Sequence, residues 1–447
     1  MKRSLFILSM AISVASLGQQ NPAITQWLIN NDNTMGSHYV QGNSVAIQDN
    51  VLANVQQVAF SSQWVYVTTN GIPAYTTGPF MDGNPSLATD QNAIFKFPLN
   101  PIQNLGTPVS TTGGNIGVFI NGVALFDYRD GVSWNNNTQT VGGGPIPGPP
   151  GQGIWNRDAI VAERVGFDCA KGHPAMGNYH HHQNPSAFDL DLTPISTVCN
   201  LYDADGLYVI DSTQHSPLLG FAYDGFPIYG AYAYKNEDGT GGITRMKSIY
   251  QLRNITVRTH YADGTDVIDG PPVSATYPLG YFREDYETFP TTQDFDYLDV
   301  HNGRFCITPE YPNGTYAYFC TVDENWNSAY PYVVGPTFYG PLVASKVNSI
   351  NEAVTIYDPT TSVQKLFDFD FKVYPNPVSD LLVIQCSGLN TVSHAFELLD
   401  MQGRKVKSVT LKPGTTIAFM ELQDVYSGQY ILTNSSGNWS KKVMVQR

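Results

Sequence analysis

The spacing of turn dipeptides is what most restricts the fold of this 447-residue chain. Apolar runs of five or six residues stop repeatedly at Asn-Gly. Trp64-Val65-Tyr66-Val67-Thr68-Thr69 ends at Asn70-Gly71, and Ile116-Gly117-Val118-Phe119-Ile120 ends at Asn121-Gly122. Two residues that accept positive φ between apolar runs make a tight hairpin whose twist suits its strands. Runs this short lack the length of an amphipathic helix; only Ala159–Val165 has the pattern of a short one. The fold class expected is therefore mainly β. The chain's 40 Gly, 29 Pro and 27 Tyr fit turns and strands, and 42% apolar residues suffice for a sizeable core. Residues 142–153 form a Gly/Pro-rich stretch with four prolines, expected as a surface flap.

Charge narrows the function classes. The total is −14, but residues 372–447 carry eight basic and five acidic side chains, leaving 14 basic against 33 acidic in 19–371. A body with a balance of −19 is repelled by phosphate backbones, so no nucleic-acid partner is expected. At the start, Lys2 and Arg3 precede the apolar run Leu5–Ile12, and small residues follow at Ser16 and Gly18. Residues 1–18 are expected to be a secretory signal peptide. That run is too short to span about 30 Å of hydrocarbon, and no transmembrane segment is expected elsewhere.

The composition changes near residue 370. Lys372-Val373-Tyr374-Pro375-Asn376-Pro377 opens a series of short alternating runs that passes Gly403-Arg404 and Gly428-Gln429-Tyr430 and closes at Lys441-Lys442-Val443-Met444-Val445-Gln446-Arg447. Strands of that length over about 75 residues predict a small Ig-like β-sandwich. The segment closely resembles the type A C-terminal sorting domain of the Bacteroidota type IX secretion system. That resemblance implies the type IX machinery as partner, export across the outer membrane, and either release or surface attachment. The expected organisation is a signal at 1–18, a large all-β domain over 19–346, a linker at 347–371, and the sorting domain at 372–447.

Five cysteines follow the signal. Cys386 lies in the tail, leaving Cys169, Cys199, Cys306 and Cys320 in the body. Four cysteines allow three pairings. Cys169–Cys199 and Cys306–Cys320 are favoured, because each closes a short loop in an exported chain. A thiolate zinc site fits poorly, since there is no Cys-x-x-Cys.

The histidines carry the strongest chemical signal. His173, His180, His181 and His182 fall within ten residues. On a strand, side chains alternate faces, so His180 and His182 share one face about 6.5–7 Å apart while His181 points the other way. His173, arriving from the preceding turn, would add a third imidazole. Such a set suits copper or zinc. Asp299-Val300-His301-Asn302-Gly303-Arg304 weakly echoes Asp168–His173. If the two hairpins paired across a pseudo-symmetric core, His301 would be the fourth ligand, with Glu310 a nearby carboxylate.

Tyr179-His180-His181-His182 resembles the Tyr-His-Tyr-His signature of the YHYH domain family, with His181 at the second Tyr. Further agreement lies in Thr34–Tyr39, Gly117–Val123, Tyr223–Gly230, Gly303–Glu310 and Tyr330–Gly335, and the resemblance covers roughly residues 30–343. It places the family's two signature histidines on His180 and His182, and it implies no defined activity.

Asp203-Ala204-Asp205-Gly206 and Asn236-Glu237-Asp238-Gly239 have the look of calcium loops but lack the spacing and terminal Glu of an EF-hand. Two function classes follow. One is a secreted or surface-attached protein with a copper or zinc centre on His173, His180, His182 and His301, open to hydrolytic or redox chemistry. The other is a non-catalytic module for a glycan, small-molecule or surface partner, with structural histidines; most rings from Tyr223 to Tyr234 are expected in the core or on a sheet face, and exposed ones would form its stacking platform. No catalytic nucleophile or base is assigned.

Overall fold

The computed structural model describes residues 21–43, 45–80, 86–144, 146–185, 211–290, 296–324, 327–343, 346–359, 371–386, 393–400, 403–434 and 439–447. The signal segment, Cys199 and Asp203–Gly206 lie outside the described residues. The chain is mainly β, as its turn spacing predicts.

At the centre is an eight-stranded mixed sheet. Its strands in chain order are β1 (Asn115–Phe119), β2 (Ala124–Phe126), β3 (Gly172–Ala175), β4 (Asn178–His181), β5 (Leu218–Ala222), β6 (Pro227–Tyr229), β7 (Gly303–Cys306) and β8 (Thr315–Phe319). Across the sheet they run β3-β4-β2-β1-β5-β6-β8-β7. That order is a palindrome about the antiparallel β1–β5 join. In the first unit the β1–β2 hairpin meets β4 in parallel, with β3 outermost; β5–β6, β8 and β7 repeat the same arrangement.

The pairing registers match rung for rung. Gly117 faces Leu125 and Val118 faces Ala124, while Gly220 faces Ile228 and Phe221 faces Pro227. Gly172 faces His181 and His173 faces His180, while Gly303 faces Tyr318 and Arg304 faces Ala317. Even the local ties repeat. Tyr179 donates its hydroxyl proton to Asp168 at 2.8 Å, and Tyr316 does the same to Asp299 at 2.9 Å. In both units the Tyr ring lies over the first glycine of the hairpin, where a Cβ would come within 2.4 Å of the hydroxyl.

At the pseudo-two-fold axis Val118 pairs with Phe221, and glycines flank this rung. A Cβ on Gly117 would lie 2.9 Å from the Phe221 carbonyl oxygen; one on Gly220 would lie 2.4 Å from that of Val118. Glycine here allows two backbones to approach more closely than side chains permit.

The sheet shares its core with a five-stranded antiparallel sheet made of Lys346–Val347, Ala93–Pro98, Trp64–Thr69, Val55–Phe60 and Thr355–Ile356, in that order. Trp27 bridges the layers, its ring centroid 5.3 Å from Phe221 and 5.7 Å from Phe97. The stretch expected as a linker thus begins with two edge strands of the body. The Gly/Pro-rich stretch is tied down as well: Gly151 N donates to Gly142 O at 3.0 Å, and Asn135 Nδ2 donates to Pro150 O at 2.7 Å.

In the C-terminal region Phe371–Tyr374, Leu381–Cys386 and Ile417–Glu421 form one sheet. Lys405–Leu411, His394–Leu399, Gly428–Asn434 and Ser440–Val445 form the other. Leu382, Ile384, Phe396, Leu398, Leu432 and Val443 fill the shared core, giving the small sandwich expected there.

The Cys306–Cys320 disulfide does not form: both thiols are free and buried. Cys306 faces Thr315 at the turn end of the β7–β8 hairpin. Cys320 lies five residues farther along, roughly 17 Å at strand rise, whereas a disulfide needs Cα atoms within about 4.4–6.8 Å. Cys169 is disulfide-bonded; Cys199, the partner expected for it, is among the residues not described.

Gly220→Ala is predicted to destabilise the protein by roughly 1–3 kcal/mol, the cost of overpacking a close contact. Gly113→Ala, whose Cβ would meet open space, is the matched control. Urea unfolding measures both, with a lowered midpoint for Gly220→Ala only.

Candidate metal centre

Local hairpin chemistry brings the first two histidines together. Met176 and Gly177 take φ of 48° and 85°, the pair of positive values that a two-residue hairpin turn with the right twist requires. This turn sets the register so that His173 on β3 sits directly across from His180 on β4. Directly opposed residues share a face, and so do residues two apart on one strand. His182, immediately after β4, therefore joins them. His173, His180 and His182 are all buried, and one ligand nitrogen from each lies within 4.8 Å of the others.

The orientation of the rings is fixed from behind. His180 Nδ1 lies 2.8 Å from the carbonyl oxygen of Asn178, and His182 Nδ1 lies 2.6 Å from that of Asp127, just past β2. A carbonyl only accepts, so both Nδ1 atoms carry hydrogen, and in the neutral rings both Nε2 atoms are left with lone pairs. Those two Nε2 atoms stand 3.0 Å apart, and His173 Nε2 is 3.4 Å from His182 Nε2. Phe126 stacks on His180 at 3.7 Å and the edge of Phe167 meets His173 at 5.0 Å, so the rings have little room to turn.

A fourth group, Glu163, does not stand out in the sequence. It ends a helix, α1 (Ala159–Glu163), which continues into one 3₁₀ turn at Arg164–Gly166. Asp158 caps the helix by accepting from Ile160 N at 2.8 Å, and also accepts from the Tyr332 hydroxyl at 2.8 Å. Glu163 Oε2 lies 3.2 Å from both His173 Nε2 and His182 Nε2. The only sequence signal for it is a carboxylate on the one predicted helix of the body, ten residues before His173.

The electrostatics follow from burial and proximity. Burial, then the neighbouring His182 and His173, hold His180 well below the usual imidazole range. Burial pushes His182 down, but Glu163 beside it outweighs that and leaves it raised. Burial pushes Glu163 up, but His173 and His182 outweigh it and hold the carboxyl below its usual range.

The remaining histidines divide cleanly. His181 points to the opposite face, where its Nε2 pairs with the Tyr75 hydroxyl at 2.8 Å, and burial holds its pKa down at about 3. His301 does not join the site. Its Nδ1 lies 2.6 Å from Thr337 Oγ1, and its hairpin occupies the far edge of the sheet, six strand positions from β4. At about 4.8 Å per strand that is roughly 29 Å. The internal repeat is real, but it sets the two hairpins apart instead of facing them. Glu310 belongs to that second unit and accepts from the Tyr229 hydroxyl at 2.8 Å. Asn236–Gly239 closes as a hydrogen-bonded turn, with Asp238 Oδ1 accepting from Thr240 N at 3.0 Å. Tyr223, Tyr229 and Tyr232, which a glycan platform would need exposed, are buried.

Comparison with known families fits this geometry. Residues 94–331, more than half of the chain, match the family described as YHYH protein. The chain belongs to the YHYH protein family. The matched YHYH region contains the whole eight-stranded sheet, Glu163 and the three converging histidines, but not Thr34–Tyr39. Residues 372–446 match the secretion system C-terminal sorting domain, the type IX sorting signal. No curated protein matches the chain. Among the described residues no helix is long and apolar enough to cross a membrane.

His181→Phe leaves the Tyr75 hydroxyl buried without its imidazole partner. It is predicted to cost about 1–3 kcal/mol, read as a lowered urea midpoint.

Proposed function

We propose that this secreted YHYH protein holds one zinc or copper ion through Nε2 of His173, His180 and His182, with Glu163 completing the donor set. One observation carries the reading. Two imidazoles with both Nδ1 hydrogens committed to main-chain carbonyls aim their Nε2 lone pairs at each other across 3.0 Å. Lone pairs that close repel unless a cation lies between them.

A proton on His182 could serve one partner at a time. His173, His180 and Glu163 all approach that same nitrogen, at 3.4, 3.0 and 3.2 Å. Four donors at about 2.0–2.1 Å from a tetrahedral ion stand about 3.3 Å apart, which these separations resemble. Carbonyl acceptors behind ligating imidazoles are also the usual outer support of a metal site, since they fix the tautomer and raise ligand basicity.

Neutral nitrogen donors suit zinc and copper better than the hard cations calcium and magnesium. Such an ion acts as a Lewis acid and lowers the pKa of a water bound to it; copper adds electron transfer. The sorting domain directs the chain to the type IX pathway, so this chemistry would act outside the cell or at its surface. The glycan-platform alternative has less support, because Tyr223, Tyr229 and Tyr232 in the stretch meant to supply it are buried.

The full chain, secreted without an affinity tag, is expected to carry close to one equivalent of zinc or copper by inductively coupled plasma mass spectrometry. The His180→Ala/His182→Ala variant is expected to carry less than a tenth of that while remaining folded by circular dichroism. Equal metal content in the two proteins, or none in either after reconstitution, would sink the reading.

A further inference from the structure

We infer that Glu163 is the exchangeable member of the donor set, and that a small monoanion coordinating through oxygen or nitrogen enters the metal centre by taking its place. This rests on the metal reading above and adds which ligand gives way and what kind of ligand replaces it.

The three histidines and the glutamate are held very differently. His173 and His180 sit in paired strands, His182 directly follows β4, and all three are buried. His180 and His182 each have a main-chain acceptor behind the ring. Glu163 has no main-chain partner of that kind: its buried Oε2 lies 3.2 Å from the imidazole nitrogens of His173 and His182 and meets no outer donor behind it. Outer partners are what normally orient a metal ligand, and a carboxylate lacking them on the ligating oxygen is free to rotate away at small cost.

Its backbone also departs from regular helix. Glu163 takes φ −105° and ψ 0°, at the junction where α1 passes into the 3₁₀ turn, and no side chain caps that turn. This sparsely populated region of φ/ψ space is common among active-site residues. The helix is anchored at its N-terminal end by the Asp158 cap and the Tyr332 hydroxyl.

Solvent reaches the Glu163 side chain, though not its buried Oε2, on this side of the donor set. The Glu163 side chain is 22% exposed against 8% for His173 and 2% for His182. An incoming ligand therefore meets Glu163 first. The leaving group is a carboxylate, so a small anion replaces it without changing the charge at the centre. The exchange makes one metal–ligand bond and breaks another, with no change in oxidation state.

Cobalt(II) reconstitution with azide as the probe tests this, because cobalt(II) absorbs visibly according to its ligands. The full chain and its Glu163→Ala and Glu163→Gln variants would be titrated with azide, following the visible bands. Both variants are expected to retain cobalt and to bind azide at least tenfold more tightly than the wild type, since the internal competitor is gone. Equal azide affinity in all three proteins would overturn the inference while leaving the metal site standing. So would loss of cobalt from the Glu163 variants to the extent seen in His180→Ala, which would make Glu163 a fixed ligand. Failure of the wild-type chain itself to bind cobalt would instead remove the metal reading on which the inference rests.

Discussion

The close approach of two backbones at Gly117 and Gly220 governs the layout of the body. Because each glycine faces a carbonyl of the other strand, β1 and β5 lie against each other at the middle of the sheet. Each four-stranded unit then builds outward, and its β3–β4 or β7–β8 hairpin ends at an outer edge. The consequence for the site is direct. A metal centre on the first hairpin has to be completed by its own unit and by the loop leading to it, and that is where Glu163 comes from.

The two units show how little of a shared scaffold decides function. Both keep an Asp, a Gly and a Tyr locked together at the hairpin: Asp168, Gly172 and Tyr179 in one, Asp299, Gly303 and Tyr316 in the other. Where the first unit presents His173 and His180, the second presents Arg304 and Ala317, and Phe319 follows in the place of His182. The Arg304 guanidinium lies 5.8 Å from the Phe319 ring centroid and donates to the carbonyls of Tyr234 and Lys235. One unit thus carries a converging donor set, and the other fills the same face with a packed cation and an aromatic ring. On the reverse face His181 and Tyr318 correspond. His181 pairs with Tyr75 and the Tyr318 hydroxyl donates to Asp224 at 2.5 Å. The departure from Tyr at position 181 therefore falls outside the three-histidine cluster.

Much of this was legible from residue order, and the misses have specific causes. Asn121-Gly122 marks the β1–β2 hairpin, where Gly122 takes φ of 80°, whereas Asn70-Gly71 turns the chain without closing a hairpin, since Trp64–Thr69 pairs with Ala93–Pro98 far along the chain. The shared face of His180 and His182 follows from strand period alone. His173 was placed on a preceding turn because Met176-Gly177 does not advertise itself as a two-residue turn; methionine rarely takes φ of 48°. Glu163 reaches the site through tertiary packing of α1, which no spacing rule encodes. The echo between Asp168–His173 and Asp299–Arg304 was a true repeat, but residue order does not reveal that the two hairpins end up on opposite edges. That missing fact misplaced His301. The Cys306–Cys320 pair failed for a related reason, since a short loop in sequence becomes a long extended hairpin in space.

X-ray absorption at the zinc edge of the zinc-loaded full chain is the most direct test of the centre. The account predicts a first shell of nitrogen and oxygen at about 2.0–2.1 Å, with the outer scattering of three imidazoles behind it. A shell with one imidazole or none, or with sulfur at about 2.3 Å, would contradict it.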